Sequence, residues 1–374
     1  MKKQISVLFV LFATLFSFAQ TPTPSPIKTW SNKYDLVSDF DAGLAKVRLN
    51  GKYGFVNQAG DEVIPCKYTI AGDFNAGLAV VVLNDKWGFI DKTGNDIIPC
   101  QYEFASEFVA GLASVQLNGK MGLIDTKGNL IVPFKYDYIA YFSEGLAEVQ
   151  LNKKYGFIDK TGIEVIPCKY ENVSWFHGGL AKVQVSGKWG FIDKKDNQVV
   201  PCKYASLGAF SDGLVEAKLN NKYGFVDTKG GEIVPFKYER VVPFSNGFAV
   251  VKSDGKYGFV DKTGNEIMPC KYEEATSFAG IGLAMVKLGG KYGFINQAGN
   301  EVVACKYEEA QSFSEGLAIV QVNGKQGFIN PIGDEVIGCK YEWVVGFNEG
   351  LSEVKLNGKI FYIDKTGNCI KDCP

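Results

Sequence analysis

A unit reading Phe, then Gly-Leu-Ala, Lys-Tyr-Gly-Phe and Pro-Cys-Lys-Tyr recurs ten times along the chain, every 34 residues except for one step of 35. The Gly-Leu step marks it at Gly43, Gly77, Gly111, Gly145, Gly179, Gly213, Gly247 (followed by Phe248), Gly282, Gly316 and Gly350. One residue inserted within Ala279-Gly280-Ile281 accounts for the longer step. Ten near-copies of a unit too small to bury its own apolar face must fold as an array in which neighbours cover one another.

The period within a unit is that of β structure. Ala45, Val47 and Leu49 alternate with Leu44, Lys46 and Arg48, as in a half-buried strand. Asn50-Gly51 follows, and its counterparts, such as Asn118-Gly119 and Asn323-Gly324, are residues that tolerate the positive φ of a tight hairpin. The spacing predicts a second strand over Lys52 to Val56, antiparallel to the first. A second turn comes at Asn57 to Gly60, which elsewhere reads Asp-Lys-Thr-Gly, as at Asp91 to Gly94. A third strand follows over Glu62 to Tyr68, its Pro65 confined to an edge or a bulge. The expected fold is therefore all-β: about ten three-strand β-meander units over residues 33–374, forming an open solenoid-like array. A closed β-propeller-like ring is the alternative. The Phe column from Phe40 to Phe347 is expected to plug the junctions between units.

The first 19 residues carry Lys2 and Lys3, an apolar run and small Ser17 and Ala19, the pattern of a cleaved signal peptide. Residues 20–32, with Pro22, Pro24 and Pro26, read as an extended spacer. No later stretch is apolar enough for a transmembrane helix. Forty basic residues against 41 acidic, spread through every unit, provide no field for nucleic acid.

The repeated Tyr53-Gly54-Phe55, Trp87-Gly88-Phe89 and Trp189-Gly190-Phe191, each preceded by Lys and followed by a Pro-Cys-Lys-Tyr segment, resemble the WG (KWG) repeats of bacterial proteins. The resemblance runs from about Lys33 to the C-terminus. It implies an exported or surface-associated β-rich binding array and brings no catalytic residues with it. Met121-Gly122-Leu123, Gln326-Gly327-Phe328 and Ile360-Phe361-Tyr362 depart from the pattern. The last of these looks like a capping unit.

Candidate chemistry is sparse. Cys66, Cys100, Cys168, Cys202, Cys270, Cys305, Cys339 and Cys373 share one column, which holds Phe134 and Phe236 elsewhere, so it reads as a row of apolar pockets with free thiols. Cys369 is placed for a local bridge to Cys373. The one histidine, His177, has no marked partner, and no metal site, cofactor or catalytic cluster is expected. The reading is a non-catalytic scaffold at the bacterial cell envelope. A protein partner is favoured over a glycan. For a protein, the anchors are Val250, Met285 and Ile319, from a varied column taken to face outward (Lys46, Val80, Ser114, Glu148, Lys182, Glu216, Val250, Met285, Ile319, Glu353). For a glycan or cell-wall polymer, the stacking platform is Tyr53, Trp87, Tyr155, Trp189, Tyr223, Tyr257 and Tyr292.

Overall fold

A computed structural model of the chain describes residues 29–373. The expected signal peptide and most of the spacer lie outside the described residues. The end of the spacer is not extended: Thr29–Lys33 forms a 3-10 helix. Everything after it is β structure, arranged among the described residues as ten antiparallel sheets, one per repeat. In the first sheet β1 (Leu36–Asp41), β2 (Leu44–Leu49), β3 (Lys52–Asn57) and β4 (Glu62–Tyr68) lie side by side in chain order. The three long strands are those expected from the sequence. The linker adds a fourth strand in nine of the ten sheets, two or six residues long, because its backbone keeps bonding beside the Gly-Leu-Ala strand. Thr69 N–H, for example, donates to the Val82 carbonyl at 2.9 Å.

Both turns form as the residue types demand. Asn50 and Gly51 take φ of 51° and 74°, the double left-handed geometry of a two-residue hairpin. In the second turn Asp91 Oδ1 accepts the N–H groups of Thr93 and Asn95 at 2.9 and 3.0 Å, and Gly94 closes it at φ 86°.

The glycine of the aromatic-Gly pair has a different duty. Tyr53 faces Tyr68 and Phe55 faces Ile64, so three residues, Pro65, Cys66 and Lys67, stand opposite Gly54 alone. This bulge brings backbone onto the glycine: a Cβ there would sit 2.4 Å from the Ile64 carbonyl oxygen and 2.7 Å from the Cys66 nitrogen. The same crowding recurs at Gly88, Gly156, Gly190, Gly258, Gly293 and Gly327. In the last sheet the partner strand is only Cys369–Lys371, with Tyr362 opposite Lys371 and Ile363 opposite Cys369. No long bulge covers Phe361 there, and its ring is buried among the core residues instead.

The core lies between successive sheets. One face of a sheet supplies the Phe55 column and the third-strand Ile and Tyr; the next sheet supplies its Ala-x-Val pair and its linker Phe. In the compact unit of residues 1–135, Phe55, Ile64 and Tyr68 pack with Ala79, Val81 and Ile90, and Phe89, Ile98 and Tyr102 with Phe108 and Val115. Trp30, from the 3-10 helix, covers the outer face of the first sheet, its indole lying where a Cβ on Gly60 would clash. That is the place taken by Ile64 against Gly94 and by Ile98 against Gly128. The unit of residues 136–374 repeats the packing through the remaining sheets. Within this second unit the linker Phe plugs the junctions, with Phe157 and Phe176 rings 4.8 Å apart and Phe328 and Phe347 likewise 4.8 Å. On the last sheet the outer face turns polar: Tyr362 stands in the Phe55 column and its hydroxyl donates to Glu353 at 2.7 Å.

Seven cysteines form no disulfide and are half-buried, and Cys369 is bonded to Cys373. Six of the seven thiols point at the first-strand carbonyl beneath the bulge, as Cys339 does at Val320, 3.7 Å away. Burial raises the pKa of Cys66, Cys100, Cys202, Cys270, Cys305 and Cys339, that of Cys339 to about 11.

One expectation changes. Val250 is 2% exposed and Ile319 5% exposed, each inside an inter-sheet core, and Met285 is partly buried against another. They form no outward apolar patch. Alternation along a strand separates two faces, but in a stack the next sheet covers the second face as well.

Candidate functional site: crevices between repeats

The varied column that begins at Lys46 opens onto the space between one sheet and the linker of the next. Where the residue is Val80, Val250 or Ile319 it fills that space and is buried. At Lys182 a crevice remains. This crevice, of about 380 Å³, lies between repeats five and six. Its inner wall is Leu180, Lys182 and Phe191; across it stand Leu207, Gly208, Ala209 and Phe210; Trp175 and His177 form the lip. A second, of about 320 Å³, lies between repeats eight and nine, beside the inserted Ala279-Gly280-Ile281 and around Met285. Both fall at the lower end of the roughly 300–1,000 Å³ typical of binding pockets.

Local chemistry holds the lip open. Ser174 Oγ donates to the Trp175 carbonyl and accepts the Lys182 N–H at 3.0 Å, while His177 N–H reaches the Leu180 carbonyl at 2.9 Å. The linker of repeat four is tied to the same loop. Ser143 Oγ donates to the Phe176 carbonyl at 2.8 Å, and the Glu144 carboxylate accepts the N–H groups of Gly178 and Gly179 at 2.7 and 3.1 Å. Lys194 and these glycine donors hold the Glu144 carboxyl below its usual range, the Lys194 bond contributing most. The backbone at the lip is thus fixed, yet its side chains are bare: Tyr141 is 69% and Trp175 70% exposed. They occupy the position just before the linker Phe, which reads Asp39, Asp73, Glu107, Tyr141, Trp175, Ala209, Pro243, Ser277, Ser312 and Gly346. Eight of its ten members are exposed, Ser277 and Gly346 being half-buried, and its variation is visible in the sequence of the repeats.

The glycan-stacking candidates fare differently. Tyr53, Trp87, Tyr155, Trp189, Tyr223, Tyr257 and Tyr292 are all half-buried at the sheet margin. A cation from the neighbouring strand covers one ring face in most of them: Lys182 over Trp189 at 4.7 Å, Lys218 over Tyr223 at 5.0 Å, Lys252 over Tyr257 at 4.8 Å, Lys287 over Tyr292 at 4.7 Å, Arg48 over Tyr53 at 6.0 Å. Trp87 instead stacks on Phe104. The lysines that precede these rings have other partners. Lys154, Lys256 and Lys291 face Glu171, Glu273 and Glu308. Those glutamates belong to a column that sequence reasoning missed, the acid after Pro-Cys-Lys-Tyr, which caps the hairpin turn. Glu171 accepts the N–H groups of Ser186 and Gly187 at 3.1 and 2.8 Å. A regular acidic position beside an Asn-Gly turn was its visible trace.

Among the described residues no group of three or more His, Cys, Asp or Glu could hold a metal ion, and no helix is long and apolar enough to cross a membrane.

Ten small sheets, each completed by its neighbour, define an all-β tandem-repeat protein. The family model described as WG containing repeat matches residues 33–53, 53–87, 87–120, 121–155, 155–189, 189–223, 223–257, 257–292, 292–325 and 327–359, and the chain belongs to that family. No curated protein matches it. Solved structures share only low likeness. A eukaryotic initiation factor is 12% identical, with 78% of this chain and 94% of that one covered at a TM-score of 0.32. Kluyveromyces lactis Hsv2p is 10% identical, with 60% and 92% covered at 0.29. The extracellular domain of a hybrid two-component system from B. thetaiotaomicron is 8% identical, with 89% and 57% covered at 0.24. Scores this low carry no argument about this chain.

Proposed function

We propose that the chain is an exported, non-catalytic scaffold that holds a protein partner on the loop rim of repeats four to six, at the bacterial cell envelope. The observation that carries this is Trp175, 70% exposed on a hydrogen-bonded loop beside an apolar-walled crevice. A bare tryptophan next to a preformed pocket is the anchor-and-socket arrangement that concentrates interface energy. Export rests on the N-terminal pattern of two lysines, an apolar run and small residues. Tyr141, on the adjoining loop, is equally bare, and two exposed rings on tied loops also suit a sugar polymer.

The deciding experiment passes envelope extract over the immobilised mature chain, beside a glycan array, with wild type and Trp175→Ala. The expected result is a protein captured in purified form at defined stoichiometry and lost with Trp175→Ala at unchanged Tm. A glycan bound through Trp175, with no protein captured, would sink the protein reading.

A further inference from the structure

The crevice between repeats five and six holds a cation without its counter-charge. At the junction of repeats one and two, Lys46 stands where Lys182 stands, and its ammonium lies 2.8 Å from the carboxylate of Asp73, the residue just before Phe74. The residue at that place facing Lys182 is Ala209. Among the described residues Lys182 has no ion-pair partner; its Nζ lies 3.4 Å from the Leu207 carbonyl and above the Trp189 ring. The protein therefore displays the lysine paired with a linker carboxylate at one junction and the equivalent lysine lacking that carboxylate at another. A half-buried ammonium satisfied only by one long carbonyl contact and a ring face gains a charge-assisted bond when a carboxylate enters.

We propose that this crevice takes an aspartate or glutamate side chain of the partner protein, whose carboxylate occupies before Lys182 the position Asp73 holds before Lys46, while an adjacent apolar residue lies against Trp175. This rests on the protein-scaffold reading. The Leu180, Phe191 and Phe210 walls suit the apolar neighbour and leave the acid as the one charged group to be matched.

The test is a random dodecapeptide display library panned against the full mature chain, followed by calorimetry with the selected peptides. Enrichment of an acidic residue next to an apolar one is expected. Replacing that acid by its amide, Ala209→Asp or Lys182→Met should each weaken binding about tenfold to a hundredfold, with Tm unchanged. Ala209→Asp supplies the carboxylate internally, so combining it with the amide peptide should add little further loss. Selected peptides that are neutral, or acidic peptides that bind Ala209→Asp as tightly as wild type, overturn the proposal. Free glucuronate that moves the Trp175 indole N–H resonance while acidic peptides leave it in place overturns it in favour of a glycan carboxylate. Neutral peptides that still depend on Trp175 would remove this inference and leave the scaffold reading standing.

Discussion

The junction between repeats five and six and the junction between repeats seven and eight are built on one plan and finished differently. Gly190 and Gly258 each lie under a bulged third strand, and each junction is plugged by a linker Phe, Phe210 or Phe278. At the second, Phe248 replaces the usual Leu and stacks on Phe278 at 5.0 Å, and Val250 is buried beside it. At the first, Leu180 and Lys182 leave a crevice, with Trp175 at its lip where repeat seven has Pro243. Two side chains on one strand thus separate a sealed joint from a socket. The repeat frame bears the stability, and a few column positions within it are free of packing duty.

The shared frame gives the largest expected effect. Gly190→Ala and Gly258→Ala should each destabilise by about 3 kcal/mol or more, because the added Cβ would lie 2.5 to 2.6 Å from a third-strand carbonyl oxygen. Urea unfolding measures it, and a neutral result at either glycine would break the common plan. Next, Val250→Ala should cost about 1–2 kcal/mol through lost burial, whereas Lys182→Ala should stay within about 0.5 kcal/mol. Equal losses would mean that the socket is core after all. Trp175→Ala should leave unfolding unchanged while weakening the partner at least about tenfold, read by calorimetry.

Acid should then remove stability from both regions together. Asp193 is held below its ordinary pKa chiefly by its hydrogen bond to Asn197; for Asp261 the bonds from Thr263 and Asn265 outweigh desolvation, the largest single influence, which acts the other way. In repeat two the Thr93 hydroxyl is the main cause that brings Asp91 to about 2. A carboxylate with a depressed folded pKa contributes stability that is whole above its unfolded value and is lost as pH falls through the folded one. The loss should therefore run from about pH 4 down towards pH 2. Thermal melts of Asp193→Asn and Asp261→Asn should show less of this slope than wild type, and an unaltered slope in both would refute the assignment. The smallest difference is expected at Cys202 and Cys270. Burial raises both thiols, so both should alkylate slowly at pH 8 and rapidly in urea. Fast native labelling of either would show its joint to be open.

Much of this was legible in the chain. Alternation at Ala45 and Val47, the Asn50-Gly51 step and the Asp91 to Gly94 turn specify strands and hairpins locally, because each depends on the φ/ψ preferences and hydrogen-bonding reach of adjacent residues. The 34-residue period added that the units complete one another. The site was half legible. The column of Lys46, Lys182 and Val250 was recognised as the varied one, but its direction was misread, since period-2 patterning names two faces without saying what covers the second. The aromatic column looked like a sugar platform until Lys218, Lys252 and Lys287 were found over its rings.

By itself, then, the sequence determined the all-β repeat, its turns and the Phe plugs, since these follow from local geometry and from counting columns. Only the tertiary structure decided why the repeated glycine is glycine, that Val250 and Ile319 are core, and that Lys182 looks across a crevice at Ala209 where Lys46 meets Asp73. Each of these depends on groups separated by a turn or a whole repeat in sequence and brought within a few ångströms by a bulge or by stacking. No local propensity encodes such distances; they are fixed only when neighbouring sheets close on one another.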